Sequence, residues 1–147
     1  MPAFRDVLVA IQFDAAAPHA LEVAVRLAEP GGRIRLLHVV EWVPSLVEGA
    51  MLASPRDPRD PREVRAIHES SRRNLERYAE RCTGVRAEVD VVEGRADLAI
   101  LEAARVGPAD LLVLGRGRRR GLVGLHPGSV ASRVLVAAAC PVLVVPH

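Results

Sequence analysis

Apolar and polar positions along this chain follow two periods, and the switches between them mark its elements. Val7-Leu8-Val9-Ala10-Ile11 is a continuous apolar run, which predicts a strand buried on both faces. Gln12-Phe13-Asp14 reads as a loop. Leu21, Ala24, Val25 and Ala28 then recur at helical spacing, with Asp14 placed to cap that helix and Pro18 suited to its first turn. Pro30-Gly31-Gly32 is predicted to end it, and Arg33–Val40 to form a second strand. Periodicity fades from Glu41 to Pro61, whose second half, Pro55 to Pro61, repeats Arg, Asp and Pro. Proline blocks regular pairing, so an exposed irregular insert is expected at about 41–61. Its apolar residues Trp42, Val43, Leu46, Val47, Met51 and Leu52 are available to lie against the body or a partner.

The next helix is the clearest in the chain. Val64, Ile67, Ser71, Leu75, Tyr78 and Cys82 track one face, and Gly84 ends it. Val85, Ala87, Val89 and Val91 alternate with Arg86, Glu88 and Asp90, which predicts a half-exposed strand at a sheet edge. Gly94 opens a short helix carrying Ile100, Leu101, Ala103 and Ala104, and Gly107-Pro108 stops it. Leu111–Leu114 reads as a buried strand, Ser129–Ala139 as the last helix and Val142–Val145 as the last strand, bracketed by Pro141 and Pro146. Strands alternating with helices imply parallel strands joined by right-handed crossovers. The expected fold is a single α/β domain over residues 1–147: a five-stranded, parallel, doubly wound, Rossmann-like sheet with helices on both faces. Ligands in such sheets sit beyond the strand C-termini, where strand order reverses. If the first and fourth strands flank that point, Ile11-Gln12 and Leu114-Gly115 face each other across one crevice.

Composition narrows the chemistry. The 147 residues, half of them hydrophobic, suffice for a sizeable core, and the Val/Leu/Ala richness suits covered parallel strands. A net charge of +2 gives no global attraction to nucleic acid or membrane. Every basic side chain is arginine, so no lysine is available for a Schiff base or a P-loop. Cys82 and Cys140 form no CxxC pair and read as small core residues. No basic-then-apolar leader follows Met1, and no apolar run reaches ~18 residues, so a cytoplasmic protein with no membrane span is expected.

The stretch from Gly115 to Ser129 carries the candidate chemistry. It joins a buried strand to a helix N-terminus, and its glycines let backbone approach a ligand closely. Free N–H groups and the helix dipole make such a start an anion site, and Ser129 can cap it. The stretch is neither a Walker loop nor a dinucleotide fingerprint, since Arg120 stands where GxGxxG needs its last glycine. Arg116, Arg118, Arg119, Arg120 and Arg133 form a basic cluster without interleaved aromatics, which reads as a solvated surface and not as a nucleic-acid interface. His19, His38, His68, His126 and His147 show no metal-ligand spacing; His38 reads as a packed strand histidine, and His126 stands in the loop.

These residues resemble the universal stress protein family across nearly the whole chain. Its nucleotide-binding members carry G-x-x-G, nine residues, then G-[ST]; here Gly115 to Arg118 is followed by Arg119 to Pro127 and Gly128-Ser129. The ending Cys140 to Pro146, the run Leu37-His38-Val39-Val40 and Val92-Glu93-Gly94 are also similar to the family. Two positions depart from it: Arg118 replaces the second loop glycine, and Gln12 replaces an aspartate that hydrogen-bonds the nucleotide. The resemblance implies an adenine nucleotide alpha hydrolase-like sheet, a homodimer through Val142–Val145, and a non-catalytic role in stress adaptation. It also implies a crevice for ATP or AMP, with or without magnesium. Ala10, Ile11, Gln12 and Val39 would then surround base and ribose, Leu114 would end the facing strand, and Gly115, Arg118, Gly128, Ser129 and Val130 would hold phosphates. Three functions stay open: a nucleotide-responsive binding module, a dimeric adaptor that has lost the nucleotide, and a slow ATPase. The last is the least favoured, because no HxGH-like signature follows the first strand and no base or metal pair stands beside the loop.

Overall fold

The computed structural model describes residues 4–41, 60–116 and 129–146. Along them run β1 (Phe4–Ala10), α1 (Ala17–Leu27), β2 (Ala28–Val40), α2 (Pro61–Ala79), β3 (Arg86–Glu93), α3 (Ala96–Val106), β4 (Leu111–Gly115), α4 (Val130–Ala137) and β5 (Val142–Val145). The apolar segment Trp42–Leu52, the Arg/Asp/Pro repeat up to Arg59, and the loop residues Gly117–Gly128 lie outside the described residues, as does His147.

The strands form one parallel sheet in the order β3-β2-β1-β4-β5, the expected doubly wound topology. Period-two alternation sorts the strand side chains onto two layers. Val7, Val9, Ile34, Leu36, Leu111 and Val113 pack with Leu21 and Ala24 of α1 and Leu75 of α2. Leu8, Ala10, Leu37, Val39, Leu112 and Leu114 pack on the opposite face with Ile100 of α3 and Val134 of α4. Central β1 is covered on both sides, which is why its sequence is a continuous apolar run. β3 stands at one edge with Arg86, Glu88 and Asp90 exposed, as its alternation predicts. Among the described residues no helix is long and apolar enough to cross a membrane.

Several boundaries differ from the sequence reading, among them the end of α2, which stops at Ala79 and leaves Cys82 beyond the helix. β1 closes at Ala10, so Ile11 follows the strand, although its N–H still donates to Leu37 O at 2.8 Å. The apolar pattern carries the first helix to Ala28, but α1 stops at Leu27 and Pro30–Gly32 lie within β2. Ala28 is extended (φ −72°, ψ 138°), pairs with Phe4 and is buried in the same core layer as α1. Proline biases the residue before it away from helix, so Glu29 favours extended backbone. The chain then bulges before Asp6 meets Arg33, and a Cβ on Gly32 would lie 2.9 Å from Glu29 O. Finally, α4 ends at Ala137 and not Ala139, because Ala138 already turns to extended backbone (φ −66°, ψ 140°).

A polar knot ties the N-terminal end of the sheet. Asp6 accepts from Arg33 and Arg35, and Asp110 accepts from the Arg5 and Asp6 N–H groups at 2.7 and 3.0 Å. Arg35 also donates to Ala103 O and Gly107 O, which closes the carbonyl end of α3. Asp6 beside it pushes the Arg33 pKa up. This knot leaves the opposite end of the sheet free for a site.

Candidate functional site

At the C-terminal end of the sheet, β1 has β2 on one side and β4 on the other, so strand order reverses there. Ala10 pairs with Leu37 and with Leu114. Ala10, Val39 and Leu114 are all buried on the α3–α4 face, which brings three of the sequence-named residues into one apolar floor. Ile11 is fully buried in the opposite layer, so its side chain is not part of that floor. Its carbonyl accepts a 2.7 Å hydrogen bond from His38 Nδ1. A carbonyl can only accept, so the His38 proton sits on Nδ1, and the histidine is packed as its strand position suggests. Gln12, the next residue, is exposed.

The start of α4 is built as its sequence requires. Ser129 is extended (φ −73°, ψ 154°), and its Oγ accepts from Ser132 N at 3.1 Å; Ser132 Oγ donates back to Ser129 O at 2.9 Å. This cap takes one of the helix's free donors and leaves those of Val130 and Ala131 without an intrahelical partner. Gly115 ends β4, and a Cβ built on it would lie 2.9 Å from the Ala16 Cβ at the entrance to α1. Its lack of a side chain therefore serves packing against α1, a reason independent of any phosphate. The same entrance is held by Asp14, whose Oδ1 accepts from the N–H groups of Ala16 and Ala17, both at 3.1 Å, although Ala16 itself is the N-cap. Arg118, His126 and Gly128 lie outside the described residues.

Sequence reading missed the charged groups around α3. Glu41 Oε1 accepts from Ala96 N at 2.6 Å and so caps α3 from the end of β2. Asp97 is only 3% exposed, and Arg95 binds both its oxygens at 2.7 and 2.8 Å. That guanidinium, helped by the Leu98 N–H and by Arg133, holds the Asp97 carboxyl below its ordinary pKa against the effect of burial. His68 Nε2 lies 2.7 Å from Glu93 Oε1, linking α2 to the end of β3. The Arg-x-Asp spacing at a helix start was the available signal for one of these pairs; the others join residues far apart in sequence. Among the described residues no group of three histidines, cysteines or acids is arranged to hold a metal ion. Cys82 and Cys140 are free and half-buried, and burial pushes both thiols up in pKa.

On the α1–α2 face, Phe13 has φ 55°, and its ring stacks on His38 at a centroid distance of 4.4 Å. Tyr78 stands 6.1 Å from it, at the edge of a cleft of about 810 Å³. This cleft and the Ala10–Val39–Leu114 floor are on opposite faces of the sheet.

Comparison with known proteins agrees with this architecture. The family model described as "Universal stress protein family" matches residues 3–146. A universal stress protein of Thermus aquaticus is 34% identical, over 97% of this chain and 98% of its own length. The crystal structure of a universal stress protein family member from Burkholderia pseudomallei is 30% identical, with a TM-score of 0.69 over 97% of this chain and 96% of that one. A universal stress protein crystallised in complex with cAMP has a TM-score of 0.65 over 97% of each chain, at 22% identity.

Proposed function

From the premise that this chain belongs to the universal stress protein family, we propose that it is a non-catalytic regulatory protein that binds an adenine nucleotide between the ends of β1 and β4. The observation that carries this reading is the coincidence, at one switch point, of an apolar floor and two polar elements. Ala10, Val39 and Leu114 supply the floor, and exposed Gln12 and the Ser129-capped start of α4 stand at the same end of the sheet. The cAMP complex of a relative supports the choice of ligand class. In this reading the base lies on the floor, and Gln12 offers its amide to base or ribose. Ile11 contributes backbone, and Gly115, Arg118, Gly128, Ser129 and Val130 surround the phosphates. Glutamine binds without charge, and Arg118 adds bulk where the family keeps backbone bare, so affinity is lower than in relatives with aspartate and glycine.

Native mass spectrometry for co-purified nucleotide, followed by calorimetric titration with ATP and AMP, tests the proposal. Binding should be measurable and should vanish in Gly128→Val with the far-UV circular dichroism unchanged. No bound nucleotide and no heat at up to about 1 mM would sink it and leave the protein-interaction adaptor as the better account.

A further inference from the structure

The turn leaving β1 serves two faces of the sheet. Gln12 is exposed at the sheet end, and Phe13 immediately adopts φ 55°, the left-handed region. This conformation is unfavourable for a residue other than glycine, and Phe13 is the sole such case among the described residues. The conformation accompanies a specific placement of the ring. Phe13 stacks on His38, which is itself fixed by its 2.7 Å bond to Ile11 O, and comes within 6.1 Å of Tyr78. The chain has four Phe, Trp and Tyr residues in all, and two of them meet here.

Phe13 and Tyr78 wall a cleft of about 810 Å³ that Asn74, Arg77, Glu80 and Arg81 complete. Small-molecule sites commonly measure ~300–1,000 Å³. The Arg81 guanidinium lies 5.7 Å from the Tyr78 ring centroid. Arg77 stands in the last turn of α2 and Arg81 in the turn that follows it, and the ion pairs among the described residues include neither. A helix C-terminus favours cations, which accounts for two arginines there. It does not account for an aromatic wall beside them or for the left-handed Phe13. We infer that this cleft is a second small-molecule site, for a planar aromatic anion whose ring lies against Phe13 and Tyr78 and whose carboxylate or sulfonate is held by Arg77 and Arg81. Glu80 leaves the lining with one net positive charge, which suits a monoanion and disfavours a nucleoside triphosphate.

The test uses the full chain, ¹⁵N-labelled, with 2-naphthoate as probe and 2-naphthalenemethanol as its neutral counterpart. The amides of Phe13, Asn74, Tyr78 and Arg81 should shift with 2-naphthoate, and the neutral compound should bind at least about tenfold more weakly. Arg77→Gln with Arg81→Gln changes only exposed side chains and should weaken 2-naphthoate about tenfold while leaving ATP binding as in wild type. Tyr78→Leu, which keeps apolar bulk, should weaken both compounds. Three results would each overturn the site: no shifts up to about 10 mM, shifts centred on Ala10, Val39 and Leu114, or equal binding of the neutral compound.

Discussion

Gly115 and Ala16 approach so closely that a Cβ on the glycine would lie 2.9 Å from the alanine Cβ. Ala16 is buried, and Asp14 fixes the N–H groups of Ala16 and Ala17, so the start of α1 cannot retreat freely. Gly115→Ala should therefore destabilise the protein by ~1–3 kcal/mol, the usual range for overpacking. Urea unfolding at constant m would measure it. A loss under ~0.5 kcal/mol would mean that β4 and α1 separate easily.

The nucleotide proposal attributes weakened binding to two residues. Reverting both, Gln12→Asp with Arg118→Gly, should raise ATP affinity about tenfold, or ~1.4 kcal/mol. Calorimetry decides. Weaker binding would make Arg118 a phosphate ligand, and equal binding would mean that neither residue is what weakens the site.

Asp97 should leave a signature in acid. Its folded pKa lies below its ordinary 3.8, chiefly because Arg95 donates to it. The folded state thus binds this proton less readily than the unfolded chain. The stability it contributes is complete above that ordinary value and is lost as pH falls through the folded one. The stability difference between wild type and Asp97→Asn should be flat from about pH 5 to about 8 and shrink below about 4. A difference that stayed constant down to about pH 2 would remove Asp97 from the acid transition.

β5 is the last strand of the sheet, and its outer edge has no partner among the described residues. It is apolar and uncharged, a composition that invites edge pairing. An isologous contact with the same strand of a second copy would close that edge, with Pro141 and Pro146 limiting its length. Val144→Arg should then convert a dimer to monomer or aggregate in sedimentation equilibrium. A monomeric wild type, or a variant dimer of unchanged affinity, would exclude the interface.

The element order and the two-layer core were legible because β1, β4 and α2 declare themselves by period alone. The junction of α1 and β2 was not. Ala28 extends the helical spacing of Leu21 and Ala24, and nothing local reveals that it pairs with Phe4 as a strand residue instead. The knot of Asp6, Arg33, Arg35 and Asp110 joins residues that the chain keeps far apart, so only the assembled sheet brings their charges together. At the site, Ala10 and Val39 were named through the family resemblance and Leu114 through the topology, and the folded sheet puts all three side chains on one face. Ile11 was named with them as the residue at the end of the first strand, but alternation sends its side chain to the other face. Glycine at 115 suggested ligand approach; its nearest constraint is a methyl group of α1.

The position of β1 at the centre of the sheet also governs the order in which the chain can fold as it is synthesised. β1, α1 and β2 leave the ribosome before β4 and can pair at once, whereas the other edge of β1 waits for β4, which begins at Leu111. During that interval the N–H groups of Arg5 and Asp6 lack the Asp110 carboxylate that later receives them, and an apolar strand presents an open edge to its surroundings. A released chain truncated just before residue 110 should therefore be a better substrate for a holdase chaperone than the full chain.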